Sequence, residues 1–442
     1  MEKLVMHRRV LGLAMPIILD MILQMTVGVV DTVFVSWIGI EALAGIGTAQ
    51  QVIGVITAVF LAVSVGATVM IANATGAGDY ARQRQIIGGS FWWGSALALL
   101  IGVITWFGAP WLMSGLGLAD GAAVIAIDAL KLTGFGMWLL MAQLVAGALY
   151  RGMGNGQTPL RIGFVVNLLN GVFGYILMFG VADWSGMGAI GSVWATLAAR
   201  AVGAMWLWRG LWREMGGMRY GDWSIAKQLG KIGVPTALEE VLILGAMTLL
   251  TPIVAVLGII DVAAHRVILT VLPLAYLPVI GLTIATTSLV GQSFGARELF
   301  IIPQILRTAL VWGIGWMLAV MSLLLIWPEP VVRLFVSDAT VEQGMLVLAV
   351  PALRWAALCL PWWASCLIIA GAMRGLGQTR VPLLVSASAV WLTLGLAWIF
   401  VALITPTPAG VWQAHLVLFP IETGVLWVWW RSMLSTPRVA SN

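Results

Sequence analysis

Charge is scarce in this 442-residue chain. Only 9% of its residues are Asp, Glu, Lys or Arg, against about a quarter in an ordinary soluble protein. So little charge excludes a soluble globular enzyme, and it equally excludes a disordered chain, which keeps itself solvated with charge. Cysteine is nearly absent. Cys359 and Cys366 are seven apart in one apolar segment, on roughly the same helical face. That spacing favours packing over a disulfide and removes a disulfide framework from consideration. The three histidines, His7, His265 and His415, show no metal-ligand spacing, so neither a metal nor a cofactor is expected. The run Gly152-Met153-Gly154-Asn155-Gly156 lacks the Lys-Ser/Thr pair and the preceding strand of a phosphate cradle. What remains is 61% apolar residues and a mean hydropathy of +1.01. This is the composition of an all-α integral membrane protein with many spans.

A spanning helix takes roughly 20 apolar residues, and the apolar runs divide the chain into twelve. They lie near 10–37, 42–73, 86–108, 122–149, 159–181, 187–210, 229–257, 262–293, 303–327, 341–371, 381–404 and 409–431. The start, Lys3 to Arg9 and then an apolar run, has the outline of a signal peptide. Pro16, Asp20 and Asp31 interrupt it and no small-residue cleavage site follows, so it is read as a retained first helix. The net charge of +5 then reports topology, not nucleic-acid binding. Most basic residues fall on one side: Lys3, Arg8 and Arg9 before the first helix, Arg82 and Arg84 after the second, Arg151 and Arg161 around the loop after the fourth. Arg209, Arg213, Arg219, Lys227 and Lys231 crowd the centre, and Arg297, Arg307, Arg374, Arg380, Arg431 and Arg438 follow. The positive-inside rule makes that side cytoplasmic, with both termini inside a plasma or inner membrane.

The chain also repeats itself. Pro16 and Pro235 are 219 apart, and so are Asp20 and Glu239, Gly39 and Gly258, Ala44 and Ala263, and Gly76-Ala77 and Gly295-Ala296. The loop Tyr150-Arg151-Gly152-Met153-Gly154-Asn155-Gly156-Gln157-Thr158 returns, offset by 223, as Met373-Arg374-Gly375-Leu376-Gly377-Gln378-Thr379. Two six-helix lobes follow, 1–210 and 229–442, joined by a cytoplasmic linker at 211–228. Each half has an even helix count, so both run the same way, with a pseudo-two-fold axis along the membrane normal and a shared cavity expected.

The segments Val30-Asp31-Thr32-Val33-Phe34-Val35, Ala263-Ala264-His265-Arg266 and Leu289-Val290-Gly291-Gln292-Ser293-Phe294-Gly295-Ala296, with the repeated Arg-Gly-x-Gly loop, resemble signatures of the multidrug and toxic compound extrusion (MATE) transporters. The resemblance spans nearly the whole chain. It implies a secondary transporter, not an enzyme, whose two bundles alternate between inward- and outward-open states. Such proteins export cationic, amphipathic small molecules against protons or sodium ions. Lipid-linked precursor flippases belong to the same superfamily. A monomer among membrane lipids is expected.

Asp31 is the leading site residue. An ionisable group inside a span costs on the order of 3 kcal/mol if it faces lipid, which marks it as functional. A carboxylate taken out of water favours its neutral form, so a single acid can carry a proton. The resemblance implies that the acid of Val-Asp-Thr binds the coupling cation. Asp20 is eleven residues earlier and returns to nearly the same face, with Gln24 between them. Asp20, Gln24 and the repeat-related Glu239, with Glu240 beside it, are candidates to attract cationic substrates. Alternatively they satisfy backbone groups freed by Pro16 and Pro235, four residues before, which are also the candidate helix kinks. Asn167 and Asn170 share a face of the fifth helix. Relatives carry an aspartate four residues after such an asparagine, whereas this chain has Gly174. The missing acid favours protons over sodium as the coupling ion. Thr196 matches a polar position of the family. Met21, Met25, Trp138 and Met141 are candidate cavity-lining residues by helix position. Arg266, where the family has glutamine, is read as an interface cap or a partner of Asp261. His415 is read as a packed hydrogen-bonding residue, and the tenth helix holds Arg354 and no acid from Met345 to Gly371.

Overall fold

The computed structural model describes residues 2–115, 120–217, 222–336 and 339–435. Of the basic residues that set the expected orientation, Arg219, Arg438 and the side chain of Lys3 lie outside what it describes. The described chain is almost wholly helical. In order come α1 (Glu2–Ile38), α2 (Ile40–Gly76), α3 (Tyr80–Ser114), α4 (Asp120–Phe135), α5 (Met137–Gly152), α6 (Gln157–Phe179) and α7 (Ile190–Met215). Then follow α8 (Trp223–Ala255), α9 (Ile259–Gly295), α10 (Ile302–Ile326), the short α11 (Pro328–Arg333), α12 (Ala339–Gly375), α13 (Arg380–Ile399) and α14 (Ala409–Ser435). Eleven of these are long and apolar enough to cross a membrane, and α4 with α5 makes a twelfth, broken span. The fold is that of a twelve-span helical membrane protein.

The fourth expected helix, 122–149, is where the sequence reading needs correction. It breaks into α4 and α5, bent by 54°. The cause is local: Gly134 and Gly136 flank the break, and a side chain at Gly136 would collide with Leu197 of α7, while one at Gly134 would press on the carbonyl of Gly102 in α3. The helices also overrun their expected ends. α7 continues to Met215 and α8 starts at Trp223, so much of 211–228 is helical and not linker. At its C-terminal end α13 passes into a π-helical turn, Phe400–Ile404.

The internal repeat is written in the backbone as well as in the letters. Gly39, between α1 and α2, has φ +150°, and its equivalent Gly258, between α8 and α9, has φ +147°. Residues with a side chain rarely adopt that conformation, so both halves turn sharply at the same glycine.

The chain forms two compact units. The N-terminal unit holds Leu13–Ala237 with Gly291–Arg297; the C-terminal unit holds Met1–Gly12, Leu238–Val290 and Glu298–Asn442. In the N-terminal unit a core of Phe60, Met137, Met141, Leu149, Tyr150 and Trp208 ties α2, α5 and α7 together. The indole of Trp208 donates to the Ala142 carbonyl at 3.0 Å. In the C-terminal unit α12 packs along α10 and α14, and α13 along α14.

Candidate ion-coupling site

In the N-terminal unit α1 carries Asp20 and Asp31 to two separate polar places. Asp31 is half-buried. The side-chain amide of Gln50, on α2, donates to its carboxylate at 3.4 Å. Across from it, on α7, Arg200 lies within electrostatic reach. One turn earlier on α7, Thr196 accepts a 2.9 Å hydrogen bond from the Asn170 amide of α6. The i, i+4 spacing of Thr196 and Arg200 puts both on one face of α7. Asn167 is not drawn into this set, and its buried amide nitrogen has no partner.

Gly174 of α6 lies beside α1. The ring of Phe34, three residues beyond Asp31 on α1, lies 3.7 Å from where a Gly174 side chain would begin. Phe34 belongs to an aromatic group with Trp37, Tyr175 and Phe179, ring centroids 5.4 to 6.1 Å apart. A side chain at position 174 would therefore begin in ordinary contact with this aromatic group, and the charge within electrostatic reach of Asp31 is positive.

Asp20 is 5% exposed. It accepts from Gln24 at 3.0 Å and pairs with Arg151 of α5 at 3.9 Å. Gly163 of α6 leaves room for this carboxylate, since a side chain there would overlap Asp20 Oδ1. In the C-terminal unit the repeat-related residues make the same pair, Arg374 of α12 to Glu239 of α8 at 2.6 Å. Asp20 and Glu239 thus answer to the arginines of the two repeated Arg-Gly-x-Gly loops, rather than to the backbone around Pro16 and Pro235. Both prolines lie inside unbroken helices.

The apolar candidates divide. Met141 is 1% exposed and packs in the core, its thioether against Gly94, so it does not line a cavity. Helix periodicity could not distinguish α3 from open space on that side. Met21 and Met25 are half-buried and Trp138 is exposed. Arg266 is exposed and makes no ion pair with Asp261 among the described residues. His415 is packed, its Nδ1 2.9 Å from the Val411 carbonyl.

Two functional-looking residues escape the motif reading. Arg200 stands ten residues inside an apolar helix, and an intramembrane charge is itself the signal. Glu422, on α14, is 7% exposed and has the same signature.

The sequence profile of the MatE family matches residues 16–176 and 235–399, one match in each half. A relative from Thermotoga maritima, described as "Probable multidrug resistance protein NorM", is 29% identical over 92% of this chain and 88% of its own length. Among solved structures, an outward-facing multidrug resistance MATE family transporter of the MOP superfamily aligns with TM-score 0.89 at 23% identity, covering 97% of this chain and 96% of the other. A MOP superfamily transporter from Pyrococcus furiosus, whose description speaks of a binding pocket of reversed polarity and a different function, aligns equally well, at 0.89 and 21%, over 99% and 97%. These two likenesses concern the fold.

Proposed function

The chain belongs to the MatE family, and from that premise we propose that it is a proton-coupled antiporter expelling cationic or amphipathic compounds. It is a membrane transporter and not an enzyme. Multidrug export is the activity named for its relative from Thermotoga maritima, and the proposal carries it to this chain. The halves 1–210 and 229–442 are the proposed moving parts of alternating access. The basic side of the chain is assigned to the cytoplasm of a plasma or inner membrane, and the working form is taken as a monomer in lipid.

One observation supports protons over sodium most directly: Arg200 is within electrostatic reach of Asp31, and no second acid stands at Gly174. Sodium needs several fixed oxygens to replace its water, and beside Asp31 it would meet a guanidinium in a medium of low dielectric. A proton needs only the carboxylate. Protonation neutralises Asp31 and leaves Arg200 uncompensated. The site then goes from nearly neutral to positive, which repels a cationic substrate and favours its release. The proton's entry and the substrate's exit are thereby coupled through one carboxylate.

The test is transport in proteoliposomes with proton and sodium gradients imposed separately. A proton gradient alone is expected to drive uptake of a fluorescent organic cation. Transport that responds only to sodium would overturn the proposal.

A further inference from the structure

The end of α7 gathers positive charge that no acid answers. With 26 residues, α7 runs to about 39 Å at about 1.5 Å per residue. A hydrocarbon layer is about 30 Å thick, so the last turns of this helix are long enough to stand among lipid headgroups. There Arg209, Trp212, Arg213, Gly216 and Gly217 line an open pocket of about 340 Å³. Gly216 ends the helix in the left-handed conformation, φ +65°. From α3, Arg84 brings Nη2 to 3.3 Å from where a side chain at Gly216 would begin. The indole nitrogen of Trp212 lies 3.7 Å from the corresponding point of Gly217. Guanidiniums from two helices and an indole N–H, donors all, thus converge on two bare glycines.

Among the described residues Arg84, Arg209 and Arg213 form no ion pair and donate to no other side chain. All three are exposed. The acids of this region are turned elsewhere: Asp79 caps α3 by accepting from the Arg82 backbone at 2.8 Å, and Asp222 accepts from Ser224 at 3.3 Å. Glu214 points about 100° round the helix from Arg213. Arg82, by contrast, already donates to Gln85 and Gln228, at 3.2 and 2.6 Å. The helix dipole and the positive-inside tendency account for a basic residue in a last turn. Neither calls for two arginines at i, i+4, which repel each other, nor for a third from α3 at the same cap.

The pocket continues into a lipid-compatible face. Met205 and Trp206 are large, apolar and exposed, and they precede Arg209 by four and three residues, on the same side of α7. One face therefore runs from apolar side chains to a cluster of donors. That is the polarity of a lipid molecule with a negative headgroup.

We propose that this pocket binds an anionic glycerophospholipid, its phosphate held by Arg84, Arg209 and Arg213 and its acyl chains lying along Met205 and Trp206. Guanidiniums match phosphate oxygens with paired hydrogen bonds, and basic pockets between spanning helices take such headgroups. The site is independent of which ion drives transport.

Native mass spectrometry of the full-length protein in detergent tests it, with dioleoyl phosphatidylglycerol and dioleoyl phosphatidylcholine as probes. The wild type should hold its first phosphatidylglycerol more tightly than phosphatidylcholine. Each arginine near a headgroup contributes about fivefold, so the triple variant Arg84→Gln, Arg209→Gln, Arg213→Gln should bind phosphatidylglycerol about 100-fold more weakly. Its hold on phosphatidylcholine should not change. Arg307→Gln removes an exposed arginine of α10 and should leave both affinities alone. The triple lysine variant keeps the charges that orient the chain, should the glutamine variant insert wrongly; it loses only the planar fork and should fall between wild type and glutamine. Equal wild-type affinity for the two lipids, or an equal loss in Arg307→Gln, overturns the site. Glycerophosphoglycerol, the headgroup without chains, should fail to displace the lipid at millimolar concentration. Displacement by it would make the pocket a site for soluble phosphate esters and overturn the lipid assignment.

Discussion

At the scale of single residues, Asp31 and Arg200 are expected to behave as one unit. Asp31→Asn should fold and reach the membrane at wild-type abundance yet lose gradient-driven efflux, because the amide cannot exchange a proton. Cell accumulation of a dye at matched protein level checks this. Arg200→Gln should let sodium ions stimulate transport where the wild type ignores them, since the guanidinium no longer occupies the neighbourhood of the carboxylate; proteoliposomes in sodium and choline buffers separate the outcomes. A different single-residue lesson comes from Arg297. It holds φ +61° at the place where its repeat equivalent Gly78 holds φ +67°. A side chain in that conformation costs roughly 1–2 kcal/mol, and glycine returns part of this as unfolded-state entropy. Arg297→Gly should therefore stabilise the protein by up to about 1 kcal/mol, seen as a raised melting temperature in detergent.

At the scale of elements, what holds helices at fixed spacing is small residues and paired charges. The ends of α2 and α9 cross inside the N-terminal unit, where side chains at Gly76 and Gly295 would run into the carbonyls of Gln292 and Asn73 respectively. Asn73 and Gln292 are themselves 219 apart, so each half offers its glycine to the backbone of the other's helix end. The Gln292 side chain also donates to the Gly152 carbonyl at 2.8 Å. The break between α4 and α5 follows the same logic. Gly136→Leu would have to displace Leu197, and overpacking of this kind costs about 1–3 kcal/mol; a lower melting temperature with unchanged helix content by circular dichroism is expected. The loop pairs carry more. Arg374→Met alone strands the buried carboxylate of Glu239 and should cost about 3–5 kcal/mol. The double variant Glu239→Leu with Arg374→Met should recover most of it, which a double-mutant cycle measures.

At the scale of the whole molecule, the proposed coupling is a thermodynamic link between proton and substrate. If protonation weakens the hold on a cationic substrate by some factor, bound substrate must weaken the hold on the proton by the same factor. The sign is definite: apparent Kd for an organic cation should rise as the pH falls. Asp31→Asn, which copies the neutral carboxyl, should bind weakly at every pH and lose that dependence. Equilibrium binding in detergent across a pH series measures both.

Composition alone determined the solvent of this protein, because 9% charge cannot keep 442 residues in water, and hydropathy with the repeat determined the number of spans. The resemblance of the Val-Asp-Thr segment singled out Asp31, and the constant offset of 219 linked Asp20 to Glu239. Which groups answer those acids was not legible there, since the pairs Asp20–Arg151 and Glu239–Arg374 join residues more than a hundred positions apart. The sequence shows Gly174 as a missing acid; only the tertiary structure shows that Phe34 of α1 lies beside it. It shows Arg151 and Arg374 as loop charges, and only folding turns them inward as the partners of Asp20 and Glu239. Periodicity reports which residues share a face, but what that face meets is decided by packing. For this reason Met141 and Arg200 took their meaning from the fold.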